Sequence, residues 1–170
     1  LYRKKEIQEK VRNLGNEKII YLSSEPFIKD EVVFIGACGW WDYFQKNIEE
    51  DLQYFDRWKP EFTIEHTKLF IRNLKEEGIR QINRMKELLI KYDRDKNIKT
   101  IVIVTHTVPP NKFSESPTVV NSLFQKLFQV THKLKYWFFG HTHQQHDLKD
   151  TENDIRFIAH PRGRPEDFDR

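Results

Sequence analysis

Polar and apolar positions along the chain switch repeatedly between a helical and an extended period. Residues 3–14 (RKKEIQEKVRNL) are charged and close at Gly15-Asn16, which suits a helix C-terminus. Ile19–Leu22 and Val32–Ile35 are short β-branched runs separated by the turn-like pairs Glu25-Pro26 and Lys29-Asp30, and both predict strands. From Thr63 to Tyr92 the period is helical. Ile71, Leu74, Gly78, Ile82, Met85, Leu89 and Tyr92 follow spacings of three and four and form one buried stripe, with Gly78 a point of weakness or bending. Thr100–Val104 is almost continuously apolar, the mark of a strand buried on both faces. Thr118–Leu134 predicts a second helix with Val120, Leu123, Leu127 and Val130 inward; Tyr136–Phe139 and Ile155–Ala159 predict two more strands, the first of them buried. Helices alternating with buried strands make the fold class α/β.

Composition narrows the picture. The 170 residues give room for one domain with a real core, and 38% hydrophobic content with 13 Phe, 6 Tyr and 4 Trp excludes disorder. A net charge of +3 admits an anionic substrate but makes no case for nucleic acid. Cys38 is the only cysteine, so an internal disulfide and Cys-rich zinc modules are excluded, and a reducing, cytoplasmic setting is expected. No apolar run approaches a membrane span. Because the chain starts at Leu1 rather than Met, its true N-terminus is expected to lie upstream.

Two of the predicted strands end in histidine: Thr105-His106-Thr107-Val108-Pro109-Pro110 after one, Gly140-His141-Thr142-His143 after the other. Ligands of α/β sheets gather beyond the carboxyl ends of strands, and neutral imidazole is a common ligand of first-row metals. Residues two apart in extended backbone point the same way, so His141 and His143 are expected to face one cluster. Gly140 would let the backbone come close, and the proline pair would stiffen the loop after His106. A hydrogen-bonded structural role for each histidine is the competing reading on spacing alone.

These two segments resemble the histidine-and-proline segment and the Gly-His-x-His motif of calcineurin-like metallophosphoesterases. Their order and strand context agree, and the similarity extends over most of the chain. Val33-Phe34-Ile35-Gly36 followed by Gly39-Trp40-Trp41-Asp42 resembles that family's strand and aromatic loop. His160-Pro161-Arg162-Gly163-Arg164-Pro165 resembles its closing Asn-Pro-x-Gly-Tyr-Pro, with His160 and Arg164 departing from the usual Asn and Tyr. The resemblance implies the C-terminal half of a four-layer αββα sandwich, with residues 1–170 as one partial domain. It implies two divalent ions, Mn²⁺ first and Fe, Zn, Ni or Co as options, with His106 and His141 on one and His143 on the other. The chemistry implied is hydrolysis of a phosphomonoester or phosphodiester by a metal-bridged hydroxide.

The family's first-half motifs are not in this sequence. No Asp is followed two residues later by His, there is no Gly-Asp, and the only Gly-Asn is Gly15-Asn16, which continues into Glu17-Lys18. Three imidazoles without a bridging carboxylate do not hold two dications close together, since nothing offsets their repulsion. The chain alone is therefore expected to be inactive, with the inner face of its sheet uncovered, and an upstream segment or a second chain is expected to supply the other half.

Several residues keep two readings. Arg162 and Arg164 suit a phosphate, or a solvated basic turn. Trp41 belongs to an aromatic concentration (Trp40, Trp41, Tyr43, Tyr54, Phe55, Trp58) that suits stacking on a base, or covering the sheet or a neighbouring subunit. His146 reads as a solvated loop residue, and His66 and His132 as surface or capping residues in helical stretches. Two rival functions remain: a scaffold with this fold and no metals, against which the three histidines speak, and a nuclease subunit of a DNA-processing or defence complex.

Overall fold

A computed structural model describes residues 2–14, 19–23, 25–39, 63–109 and 121–161. In chain order these form α1 (Tyr2–Asn13), β1 (Phe27–Lys29), β2 (Val32–Ala37), α2 (Ile64–Arg94), β3 (Thr100–Thr105), a short 3₁₀ helix (Ser122–Leu127), β4 (Leu134–Phe138), β5 (His146–Asp150) and β6 (Ile155–Ala159). One six-stranded sheet runs β1-β2-β3-β4-β6-β5. Its four central strands are parallel, and β1 and β5 are antiparallel edges. This is a mixed α/β fold, as the alternation of periods predicts.

The 31-residue helix α2 forms where its sequence demands. The Thr63 hydroxyl caps its start by accepting from the His66 N–H at 3.3 Å. Glu65 in the first turn and Lys91 and Arg94 in the last match the helix dipole. At the far end the Lys133 ammonium donates to the carbonyls of Tyr92 (3.1 Å), Asp93 (2.6 Å) and Asp95 (2.8 Å), satisfying groups the helix leaves open. Ile71, Leu74, Gly78, Ile82, Met85, Leu89 and Tyr92 are all buried, so the predicted stripe is the core face, and the helix runs unbroken through Gly78.

That stripe packs on one face of the sheet. With Val33 and Ile35 of β2, Ile101 and Ile103 of β3, Trp137 of β4 and Phe157 of β6 it makes one buried core. The Trp137 ring lies edge-on to Phe124 at 4.9 Å and to Phe128 at 5.7 Å. A register shift at the start of the β3–β4 pairing brings both Leu134 and Trp137 inward although they are three residues apart.

The opposite face is a different surface. Phe34, Val102 and Tyr136 lie in one row across the sheet, and Val104, Phe138 and Ile158 in the next. Tyr136 is 40% exposed and Phe138 39%. The expectation that β4 is a buried strand therefore holds for one face only, with Leu134 and Trp137 inside and the alternate residues outside.

Three other expectations are corrected. Ile19–Leu22 is not a strand; the chain there is irregular, and Leu22 lies against Gly36, where a Cβ would collide with it. The strand beside β2 is instead Phe27–Lys29, joined to it by a tight turn in which Asp30 takes φ 54°. The predicted helix over 118–134 is reduced, among the described residues, to the 3₁₀ turn Ser122–Leu127, capped by the Asn121 side chain accepting from Leu123 N–H at 3.0 Å. It stops early because Thr131, bonded to Asp93, and Lys133, bonded to the end of α2, draw the chain back to the sheet, leaving His132 in an exposed turn. Finally, His146 is not a loop residue; it opens β5, is half-buried and stacks on Phe139 at 5.7 Å.

Gly39, at the end of β2, has φ 71°, and a Cβ there would overlap the buried Phe124 ring. Left-handed strain and overpacking each cost roughly 1–2 kcal/mol. Gly39→Ala is expected to destabilise the fold by on the order of 2 kcal/mol or more, read as a lower urea midpoint with unchanged slope.

Candidate metal centre

His106 and the Gly140–His143 segment follow neighbouring parallel strands, β3 and β4, at their carboxyl ends. The register pairs Val104 with Phe138, so the two exits lie side by side. Gly140 N–H donates to the His106 carbonyl at 3.1 Å, tying them together. On the other flank, His106 N–H and Thr107 N–H both donate to the Cys38 carbonyl, at 3.1 and 3.2 Å. Cys38 is half-buried rather than buried.

Within this frame the imidazoles of His106 and His141 meet. Nε2 of His106 and Nδ1 of His141 are 2.8 Å apart, with ring centroids at 4.7 Å and ring planes at 89°. Two ring nitrogens at that separation cannot both present lone pairs without a proton or a cation between them. Adjacent nitrogens around a first-row ion lie about 3 Å apart, given metal–nitrogen bonds of about 2.0–2.1 Å. The separation suits a shared proton, as an N–H···N hydrogen bond, and equally two nitrogens on one such ion. Partial burial holds the His106 pKa below its ordinary value of 6.5, and charge repulsion from nearby His143 lowers it further. A lowered pKa favours the neutral imidazole, the form that binds metal.

The backbone that delivers His141 and His143 is not the extended one the His-x-His spacing predicts. His141 has φ 73° and His143 φ 55°. Thr142 N–H donates back to the Gly140 carbonyl at 2.9 Å, closing a γ-turn centred on His141, a rare and strained conformation. The Thr142 hydroxyl then accepts from Gln144 N–H at 3.4 Å. Gly140 has less to do with close approach than expected, because a Cβ there would meet His106 Nδ1 at 3.4 Å, an ordinary contact.

A cleft of about 330 Å³ adjoins His106 and Gly140 on the open face of the sheet, walled by Tyr21, Leu22, Gly36 and Val104. Among the described residues, no group of three or more His, Cys, Asp or Glu is placed to hold a metal ion, so His143 does not complete one with His106 and His141. Pro109 is buried and anchors the segment after His106. Trp41, Arg162, Arg164, Pro110 and the other aromatic residues between 40 and 58 lie outside the described residues, and His160 is exposed at the end of β6.

Left-handed backbone costs a residue with a side chain roughly 1–2 kcal/mol, part of which glycine's own entropy offsets. His143→Gly is therefore expected to raise the melting temperature slightly, by an amount equivalent to about 1 kcal/mol or less, in a thermal scan without added metal.

Comparison with family models matches residues 13–145 to calcineurin-like phosphoesterases. Neither a curated protein nor a solved structure matches the chain. No helix among the described residues is long and apolar enough to cross a membrane. Members of that family generally bind divalent metals and act on phosphate esters, and its model spans both histidine-bearing strand ends and the strands that carry them. The chain belongs to the calcineurin-like phosphoesterase family.

Proposed function

We propose that this chain supplies the histidine side of a dinuclear, metal-dependent phosphoesterase centre. The observation that carries this reading is the 2.8 Å approach of His106 Nε2 and His141 Nδ1 at the ends of adjacent parallel strands. His106 and His141 would hold one divalent ion and His143 the other. When bound, such ions activate water near neutral pH and neutralise charge on the phosphoryl oxygens. The chain's own part is to present neutral nitrogens in fixed positions. Partial burial of His106 favours its neutral form, and the γ-turn at His141 holds that ring against it.

Neutral donors alone do not offset the repulsion of two dications, so carboxylates must join the site. We infer that they come from a further segment, or a second chain, that packs on the open face of the sheet. The exposed Tyr136 and Phe138 beside the histidine cluster support this, since covering the roughly two-fifths of each that is still exposed would contribute about 1 kcal/mol apiece. Mn²⁺ is the first candidate ion, because oxygen-rich sites suit it while imidazole serves several metals. The substrate is a phosphomonoester or phosphodiester.

In the full-length protein, His141→Ala is expected to lower metal content by elemental analysis and to cut turnover of a chromogenic phosphodiester by about 100-fold or more, the loss of several kcal/mol of charge stabilisation. Metal content and turnover equal to the parent protein would refute the assignment.

A further inference from the structure

His106 is the solvent-facing member of a tripeptide whose flanking residues, Thr105 and Thr107, are both buried. Both threonine hydroxyls are engaged inward. Thr105 Oγ1 donates to the Thr107 carbonyl at 2.8 Å and accepts from Trp137 Nε1 at 2.9 Å. Thr107 Oγ1 donates to the Gly39 carbonyl. Gly39 N–H donates in turn to Gln81 Oε1 on α2 at 2.7 Å. Gln81 Nε2 donates to Glu77 Oε1 at 2.6 Å, which settles which way round the amide lies. The chain of bonds thus runs from the long helix to the ends of β2, β3 and β4. Gln81, Thr105, Thr107 and Trp137 are all buried along it.

Gln81 interrupts an otherwise apolar stripe, where an aliphatic residue would fill the same space without needing a partner. A buried polar network whose members are all satisfied has one geometry, whereas apolar packing tolerates several. The backbone that this network fixes is the one bearing His106.

We propose that Gln81 and Thr107 are positioning residues for His106. The helix-borne amide fixes Gly39, Gly39 fixes the Thr107 hydroxyl, and the rotation of residues 105–107 that results aims the imidazole away from the core and at His141. Both residues are buried and act through His106 rather than as ligands themselves. The inference rests on the reading of His106 as a ligand only for its functional consequence; the ring placement itself is separable from it.

The test uses the full-length protein and three variants: Thr107→Val, which keeps the shape and removes the hydroxyl, Thr107→Ser, which keeps the hydroxyl, and Gln81→Met. Two quantities are measured: the nuclear Overhauser contact between the His106 and His141 rings without metal, and Zn²⁺ affinity by calorimetry. Thr107→Val and Gln81→Met are expected to lose the ring contact and to weaken Zn²⁺ binding roughly 10- to 100-fold, as loss of a ligand's supporting hydrogen bonds does. Helix content by circular dichroism should not change. Thr107→Ser is expected to keep both readouts within about twofold of the parent, well short of the loss expected when the support is removed. A ring contact that survives in Thr107→Val overturns the proposal, as does an equal loss in Thr107→Ser. If the parent binds no Zn²⁺ while the ring contact responds as stated, the metal reading fails and the positioning role stands.

Discussion

The parallel pairing of β3 with β4 is the constraint on which the site depends. Parallel neighbours bring their carboxyl ends to the same edge of a sheet, and the register of Val104 against Phe138 places the two exits level. A slip of one residue would turn each side chain to the opposite face and carry the rings of His106 and His141 apart. The hydrogen bond from Gly140 N–H to the His106 carbonyl is the last rung of that ladder, continued past the strands themselves. The register is secured in turn by Trp137, whose ring is buried among Phe124, Phe128 and Phe157 and whose N–H is bonded to Thr105.

The two faces of the sheet divide the work. One is closed by the apolar stripe of α2 and gives the fold its core. The other presents Tyr136 and Phe138 to solvent next to the histidines. At the edge between them the backbone of His141 and His143 is left-handed, as it is at the turn residues Asp30 and Asp154, and the surrounding ladder holds what the local conformation disfavours.

Much of this was legible in the sequence, for reasons tied to particular residues. The spacing from Ile71 to Tyr92 reports a helix face directly, and the apolar runs at Thr100–Val104 and Ile155–Ala159 report strands, because burial selects for them. Strand β5 is not legible, since His146-Asp147-Leu148-Lys149-Asp150 is a polar edge strand, held to β6 by its backbone pairing and the exposed Asp147–Arg156 ion pair. Ile19–Leu22 looks like a strand but is irregular, with Leu22 over Gly36 while Ile19 and Ile20 stay exposed. The place of His106, His141 and His143 after strands is legible in the sequence, whereas the γ-turn at His141 is not, because a His-x-His spacing carries no information on φ. The relay from Gln81 was equally silent: a polar residue in an apolar stripe signals a buried bond, but not to which loop.

Crystals of the full-length protein grown with Mn²⁺, measured at the manganese absorption edge, address the central claim most directly. The account predicts an anomalous peak within coordination distance of both His106 Nε2 and His141 Nδ1. A peak elsewhere, with those two nitrogens still sharing only a proton, would contradict it.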